Sequence, residues 1–320
     1  YFSRFRENKF FIYDHKELIF PEAREILANA GFEIVSHNTG EPIKTDEFKE
    51  IIRDAYAAIA GVEVYSKEIL DAAENLKVIA RYGVGLDNID LDECRRRGIH
   101  VTCTDNRNAV AEFALTLILS VLKNIPWYDS VVRKTNWNRK ISRELTGKTV
   151  GLIGFGKISR KLSQLLSGFN VNIYAYDPVE NRDAAQKLGV EFKTFEEVLA
   201  KSDIISLHLP YNDKTHHLIG EKEISLMKDG AYFINTARGP IVNETALYDA
   251  LLRGKLAGAG LDVYETEPVK ADNLLLSLPN VVLSPHVAAA SFETNYNGSL
   301  ICARSIVSIS KGEKPPYLVF

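Results

Sequence analysis

Short runs of β-branched and apolar residues alternate with longer stretches of helical spacing along almost the whole chain. Residues 10–13, 32–35, 57–60, 78–80 and 99–101 read as buried strands, and segments such as 21–30 and 45–54 carry apolar positions three and four apart. Strands that lack polar alternation are covered on both faces, so the pattern predicts a parallel sheet sandwiched between helices. A second series begins near Thr149, with strands at 149–153, 172–176, 204–208, 231–235, 258–262 and 281–284. Six strands with helices between them predict a doubly wound, dinucleotide-binding domain. Between the two series lie an apolar helix at 109–123 and a more polar segment at 127–145. On that helix Val110, Phe113, Ala114, Leu117, Ile118, Val121 and Leu122 spread wider than one-sided packing requires, so a homodimer built on it is expected.

At 320 residues the chain is too long for one ordinary core, and two domains are expected. A net charge of -3 offers no basic surface for nucleic acid or an anionic membrane. There is no apolar run of membrane-spanning length and no secretory signal, so a cytoplasmic location is expected. Cys94, Cys103 and Cys302 are odd in number and lack metal-ligand spacing, which predicts reduced thiols and no metal site. The chain opens with Tyr rather than Met, as a processed or truncated terminus would, and residues 1–8 carry no weight in this reading.

The chemistry begins at the strand 149–153, which runs directly into Gly154-Phe155-Gly156-Lys157-Ile158-Ser159 and a helical pattern. Gly154 permits the tight turn, and Gly156 lets backbone N–H groups approach a pyrophosphate at the helix N-terminus. Ser159 stands where a third glycine belongs, and its side chain is expected to loosen helix–strand packing. Asp177 ends the next strand, about 20 residues beyond the loop, where a carboxylate accepts hydrogen bonds from ribose hydroxyls. The same charge repels a 2′-phosphate, so NAD is expected rather than NADP; Arg182 is a nearby group that would soften the repulsion.

Three more residues follow strand ends, where open parallel sheets bind ligands. Arg238, in 235–239, is suited to hold a substrate carboxylate bidentately and polarise its carbonyl. His286 follows the last strand, and Glu267 follows the strand that Asp262 closes. Hydride transfer to a ketone needs a proton donor, and a histidine backed by a carboxylate is suited to that task. Each residue taken singly also fits a structural ion pair or hydrogen bond; the case rests on all three falling at strand ends. His208, His216 and His217 have no carboxylate at useful spacing, and His15, His37 and His100 are isolated.

With these residues in place, the sequence resembles the D-2-hydroxyacid dehydrogenase family across nearly its whole length. The matching motifs, in family order, are ARYGVGLDNIDL (80–91), NAVAE (108–112), GLIGFGKIS (151–159), the acid of YDP at 177, SLHLP (206–210), INTARG (234–239), LDVYETEP (261–268) and SPH (284–286). The resemblance implies a Rossmann NAD-binding domain at 104–289 and a smaller, flavodoxin-like substrate domain made of 1–103 and 290–320. It implies a catalytic trio of Arg238, Glu267 and His286. It places Phe155, Lys157, Ile158, His208, Pro210, Thr215, Thr236 and Ala237 along the cofactor, with Asp262 on the nicotinamide carboxamide. Backbone amides of Gly83, Val84 and Gly85 would hold the substrate carboxylate, with Asn106 nearby. A two-fold dimer would form through the NAD-binding domain. RYGVGLDNID points to 3-phosphoglycerate and so to serine biosynthesis, with Arg81 available to meet the phosphate. Ala60-Gly61, standing where many animal-type phosphoglycerate dehydrogenases carry Arg-Ser, points instead to glyoxylate or hydroxypyruvate. A corepressor-like, NAD-sensing binding protein is the non-enzymatic alternative. The crossover 101–108 is shorter than usual and lacks its proline, and no serine-sensing regulatory domain is expected after the core.

Overall fold

The computed structural model describes residues 9–13, 20–37 and 43–320. Residues 1–8 and His15 lie outside the described residues. The chain divides into two compact units, Tyr1–Asn106 with Ala290–Phe320, and Arg107–Ala289.

The first unit runs β1 (Lys9–Tyr13), α1 (Pro21–Asn29), β2 (Glu33–His37), α2 (Thr45–Ile52), β3 (Ala55–Ala60), α3 (Lys67–Ala72), β4 (Val78–Arg81), α4 (Leu91–Arg97) and β5 (His100–Thr102). All pairings are parallel, in the order β2-β1-β3-β4-β5, which is the flavodoxin-like order. Both faces are covered: Ala58, Ile79 and Val101 pack with Ile52 and Leu70 on one side, while Ala57, Ile59, Val78 and Ala80 pack with Leu27 on the other. That double coverage is the reason the strands read as continuous apolar runs.

The second unit opens with α5 (Arg107–Lys123) and α6 (Ile125–Arg133). There follow β6 (Thr149–Ile153), α7 (Lys157–Leu166), β7 (Asn172–Tyr176), α8 (Arg182–Leu188), β8 (Val190–Phe192), α9 (Phe195–Lys201), β9 (Ile204–Leu207), α10 (Glu221–Leu226), β10 (Ala231–Asn235), α11 (Glu244–Leu252), β11 (Leu256–Leu261) and β12 (Val281–Leu283). The sheet is parallel throughout, ordered β12-β11-β10-β9-β6-β7-β8, so the chain reverses direction across the sheet between β6 and β9. A crevice outside the strand carboxyl ends is expected at such a switch point. The edge strand β8 is an addition to the six strands predicted; three residues carry too little pattern to be read. The chain then closes the first unit with α12 (Phe292–Ser310), whose Cys302, Ala303 and Ile306 are buried.

The structure corrects the argument made from α5. Ala114, Leu117, Ile118, Val121 and Leu122 are all buried inside their own unit, against neighbours such as Leu162 and Ile234, and Val110 is buried as well. Phe113 packs partly buried in the same cluster. The helix is apolar nearly all round because it is a core helix of its own unit. Exposed apolar side chains follow it in the chain, among them Ile125, Val132, Trp137 and Ile141. No single helix among the described residues is long and apolar enough to cross a membrane.

Candidate active site

The turn after β6 is built as the sequence predicts. Gly154 has φ +95°, and a Cβ there would lie 2.5 Å from the His208 carbonyl oxygen, so both conformation and space require glycine. Gly156 N-caps α7 without a side-chain acceptor, and the space above its Cα is open. Lys157 and Ile158 begin the helix behind it. The Asp177 carboxylate accepts the Phe155 N–H at 2.7 Å and the Val179 N–H at 2.8 Å, locking the turn to the end of β7 while keeping lone pairs for further donors. Arg182 is paired with Glu180 at 2.6 Å. Ser159 does the opposite of what was expected: its hydroxyl donates to the Gly154 carbonyl at 2.5 Å and ties helix to turn.

Farther along the same edge, His208 shares a 2.9 Å hydrogen bond with Ser206, and burial lowers its pKa to about 4, so the ring is neutral. Thr215 donates to the Pro210 carbonyl at 2.9 Å. The Ala237 N–H donates to the Asn235 side chain at 2.9 Å. The Thr236 hydroxyl is buried with no protein partner. A helix N-terminus with open space before it, a ribose-seeking carboxylate and an unpartnered buried hydroxyl together fit an adenine dinucleotide.

Register brings the remaining residues together. Asn235 of β10 is abreast of Leu261 of β11, which is abreast of Leu283 of β12. Residues just past these positions therefore emerge at one level. Asp262 is fully buried there, and its carboxylate accepts from the Ser284 hydroxyl (2.6 Å) and the N–H groups of Val287 (2.9 Å) and Ala288 (2.8 Å). It is the anchor of the loop that carries His286, a role that sequence reading did not assign to it. His286 Nδ1 lies 2.7 Å from Glu267 Oε2, and Glu267 Oε1 accepts the Tyr264 N–H at 3.0 Å. Burial pushes the Glu267 carboxyl up, but His286, the Tyr264 N–H and Arg238 outweigh it and hold the carboxyl below its ordinary range. An ionised Glu267 only accepts, so Nδ1 of His286 donates and Nε2 is left as the nitrogen that exchanges a proton.

Arg238 is half-buried beside this pair, with its backbone carbonyl held by Asn235 (2.9 Å) and its Nη1 on the Ala237 carbonyl (2.7 Å). The next residue must be glycine, because a Cβ on Gly239 would sit 1.8 Å from the Tyr264 carbonyl carbon. The backbone that presents Arg238 is therefore pressed against the loop that presents Glu267.

In the other unit, Arg81 ends β4 beneath the turn 82–85. Its Nε donates to the Gly85 carbonyl (2.9 Å) and its Nη1 to those of Tyr82 (2.7 Å) and Ala60 (3.1 Å). Gly83 has φ +145° and lies over the guanidinium, while Val84 is exposed at the tip. The Arg81 side chain thus braces this turn through its Nε and Nη1. Asn106 is buried, with its amide oxygen unpartnered.

A family profile described as "D-isomer specific 2-hydroxyacid dehydrogenase, NAD binding domain" matches residues 115–288. A glyoxylate reductase of Thermofilum pendens is 40% identical over 312 residues, covering 94% of this chain and 92% of that protein. A D-3-phosphoglycerate dehydrogenase of Archaeoglobus fulgidus is 40% identical over 306 residues, which span 92% of this chain but 56% of that protein. Among solved structures, D-lactate dehydrogenase from Aquifex aeolicus, complexed with NAD and lactic acid, superposes with a TM-score of 0.82 at 32% identity, covering 96% of both chains. The chain belongs to the D-isomer specific 2-hydroxyacid dehydrogenases. It is an NAD-dependent oxidoreductase acting on the CH–OH group of 2-hydroxyacids, and its substrates are small hydroxy or keto acids.

Proposed function

We propose that this enzyme reduces a small, unphosphorylated 2-keto acid of the glyoxylate or hydroxypyruvate type. Bound NADH supplies the hydride, and the protein's residues do the rest. Arg238 pairs with the substrate carboxylate and polarises its carbonyl. The imidazolium of His286 gives its Nε2 proton to the oxygen as negative charge develops there, while Glu267 stabilises the charged ring through Nδ1. Gly156 and the first turn of α7 take the pyrophosphate, and Asp177 takes the adenosine ribose. In the other unit, the Gly83 N–H already donates to the Arg81 carbonyl at 3.0 Å and so is committed within its own turn. The 2.7 Å contact between His286 and Glu267 carries the mechanistic reading.

The choice of substrate rests on Arg81. The motif around it favours 3-phosphoglycerate, but three backbone carbonyls already receive its guanidinium, and the Glu63 carboxyl adjoins it. A guanidinium committed in this way to its own turn supports an unphosphorylated substrate. The full-length match to a glyoxylate reductase points the same way. We expect NADH oxidation with glyoxylate and hydroxypyruvate to exceed that with 3-phosphohydroxypyruvate at least about tenfold in kcat/KM. A preference for the phosphorylated acid would overturn the assignment, and no turnover with any of the three would favour an NAD-sensing binding protein.

A homodimer through the second unit remains our reading, now carried by the exposed Ile125, Val132, Trp137 and Ile141 rather than by α5. Light scattering at micromolar concentration should return twice the chain mass of 35.8 kDa, and a monomer would remove this surface from consideration.

A further inference from the structure

The loop that presents Glu267 carries a second histidine–carboxylate pair. His217 Nε2 lies 2.8 Å from Glu265 Oε1, although nothing in their sequence spacing connects them. The same Glu265 oxygen accepts the Glu244 N–H at the start of α11 (3.0 Å), and the Glu265 N–H donates back to the Glu244 carboxylate (2.7 Å). Asn273 donates to the other Glu244 oxygen at 2.8 Å. His217 is itself held in place: its N–H donates to the Pro240 carbonyl (2.9 Å), and its ring stacks on His216 with centroids 4.0 Å apart. Pro240 follows Gly239, the residue pressed against Tyr264. Glu265 thus ties the Glu267 loop to α11 on one side and to the Arg238 segment on the other.

We infer that Glu265 is a positioning residue for the proton-transfer pair, holding the Glu267 carboxylate on His286 through a reciprocal clasp with Glu244 and a bridge to His217. The physical reason is that the Glu267 side chain is more than one-third exposed, so little packing fixes it. Its own loop supplies one backbone donor, from Tyr264, and the loop needs external tethers to keep that donor and the carboxylate aimed. An angstrom of slack at such a contact costs catalysis out of proportion to its effect on stability. Two carboxylates, Glu265 and Glu244, face each other here; the reciprocal N–H donors and His217 offset their repulsion. Glu267 faces His286 and Arg238. This inference rests on the reading of His286 and Glu267 as the proton-transfer pair.

The test is steady-state reduction of glyoxylate with NADH from pH 5 to 9, with wild type, Glu265→Ala, Glu265→Gln, His217→Asn and Glu267→Gln side by side. Glu265→Ala should lower kcat about tenfold and move the alkaline fall in rate to lower pH, in the direction of Glu267→Gln but by less. NADH affinity, from fluorescence titration, should stay within about twofold. Glu265→Gln keeps an oxygen acceptor for the Glu244 N–H and should recover most of the lost rate. His217→Asn, at a half-exposed ring, is expected to fold and to show a smaller effect of the same sign. A Glu265→Ala profile superimposed on wild type would overturn the inference. So would a loss of rate accompanied by a lower melting temperature with the pH profile unmoved, which is the signature of a merely structural residue. If Glu265→Ala does not fold, an unmoved His217→Asn profile overturns it equally. If Glu267→Gln itself leaves the profile in place, the pair has been misread and the inference falls with it.

Discussion

Glu267 in one unit and Glu63 in the other are carboxyls with opposite fates. Glu267 is partly exposed and answered by an imidazole, a backbone N–H and a guanidinium, which together hold it ionised. Glu63 is 7% exposed, accepts one N–H from Gly61 at 2.9 Å, and has a second oxygen with no protein partner. Burial dominates there: it raises the pKa to about 7, against the lowering effects of nearby backbone N–H groups and Arg81. The contrast shows that burial alone does not decide protonation. What decides is whether the structure provides enough donors to replace the water it removes. Glu267 is held against an imidazole, whereas Glu63 is held near the Arg81 guanidinium that braces a turn.

The comparison can be broken most sharply at its catalytic end. His286→Ala should lower kcat for reduction by about two to four orders of magnitude while leaving NADH binding intact. Reduction consumes the proton that His286 delivers, so its rate should fall toward alkaline pH; Glu267→Gln removes the charge that favours imidazolium and should move that fall to lower pH. Rate against pH checks both, with a deuteride isotope effect confirming that chemistry limits the rate. Unmoved profiles would make Glu267 a bystander.

At the other end, Glu63 should reveal itself in stability. Its folded pKa lies above the ordinary carboxyl value, so the unfolded chain releases its proton first as pH rises. Stability therefore falls between about pH 4.5 and pH 7 and is level above, a loss on the order of 3 kcal/mol. Glu63→Gln lacks this titration, and its stability relative to wild type should grow by up to that amount between pH 4.5 and pH 8. Urea denaturation at the two pH values measures it, and parallel behaviour of the two proteins would mean that Glu63 is solvated better than its burial implies.

Much of the site was legible because its signals are local. The Gly154–Gly156 turn follows its strand directly, Asp177 closes the next strand, and Arg238, Glu267 and His286 each lie within a few residues of a strand end. A turn, a cap or a strand terminus is dictated by neighbouring residues, so one reading of the chain finds it. The three-residue β8 fell below that resolution, and α5 was misjudged because apolar periodicity records that a helix is buried without recording by what.

The sequence by itself therefore determined the two parallel-sheet units, the cofactor turn and the strand-end placement of the reacting side chains, since each follows from the period of apolar positions and the conformational demands of single residues. Only tertiary structure decided which groups meet. Register sets Asp262 level with Ser284, so that a buried carboxylate anchors the His286 loop instead of standing free. The contact of Gly239 with Tyr264, the bridge from His217 to Glu265, and the use of Arg81 on three carbonyls all join segments with no fixed relation along the chain. Hydrogen bonds and close contacts act over about 3 Å in space. Sequence distance carries no information about them until strands are ordered and their register is set.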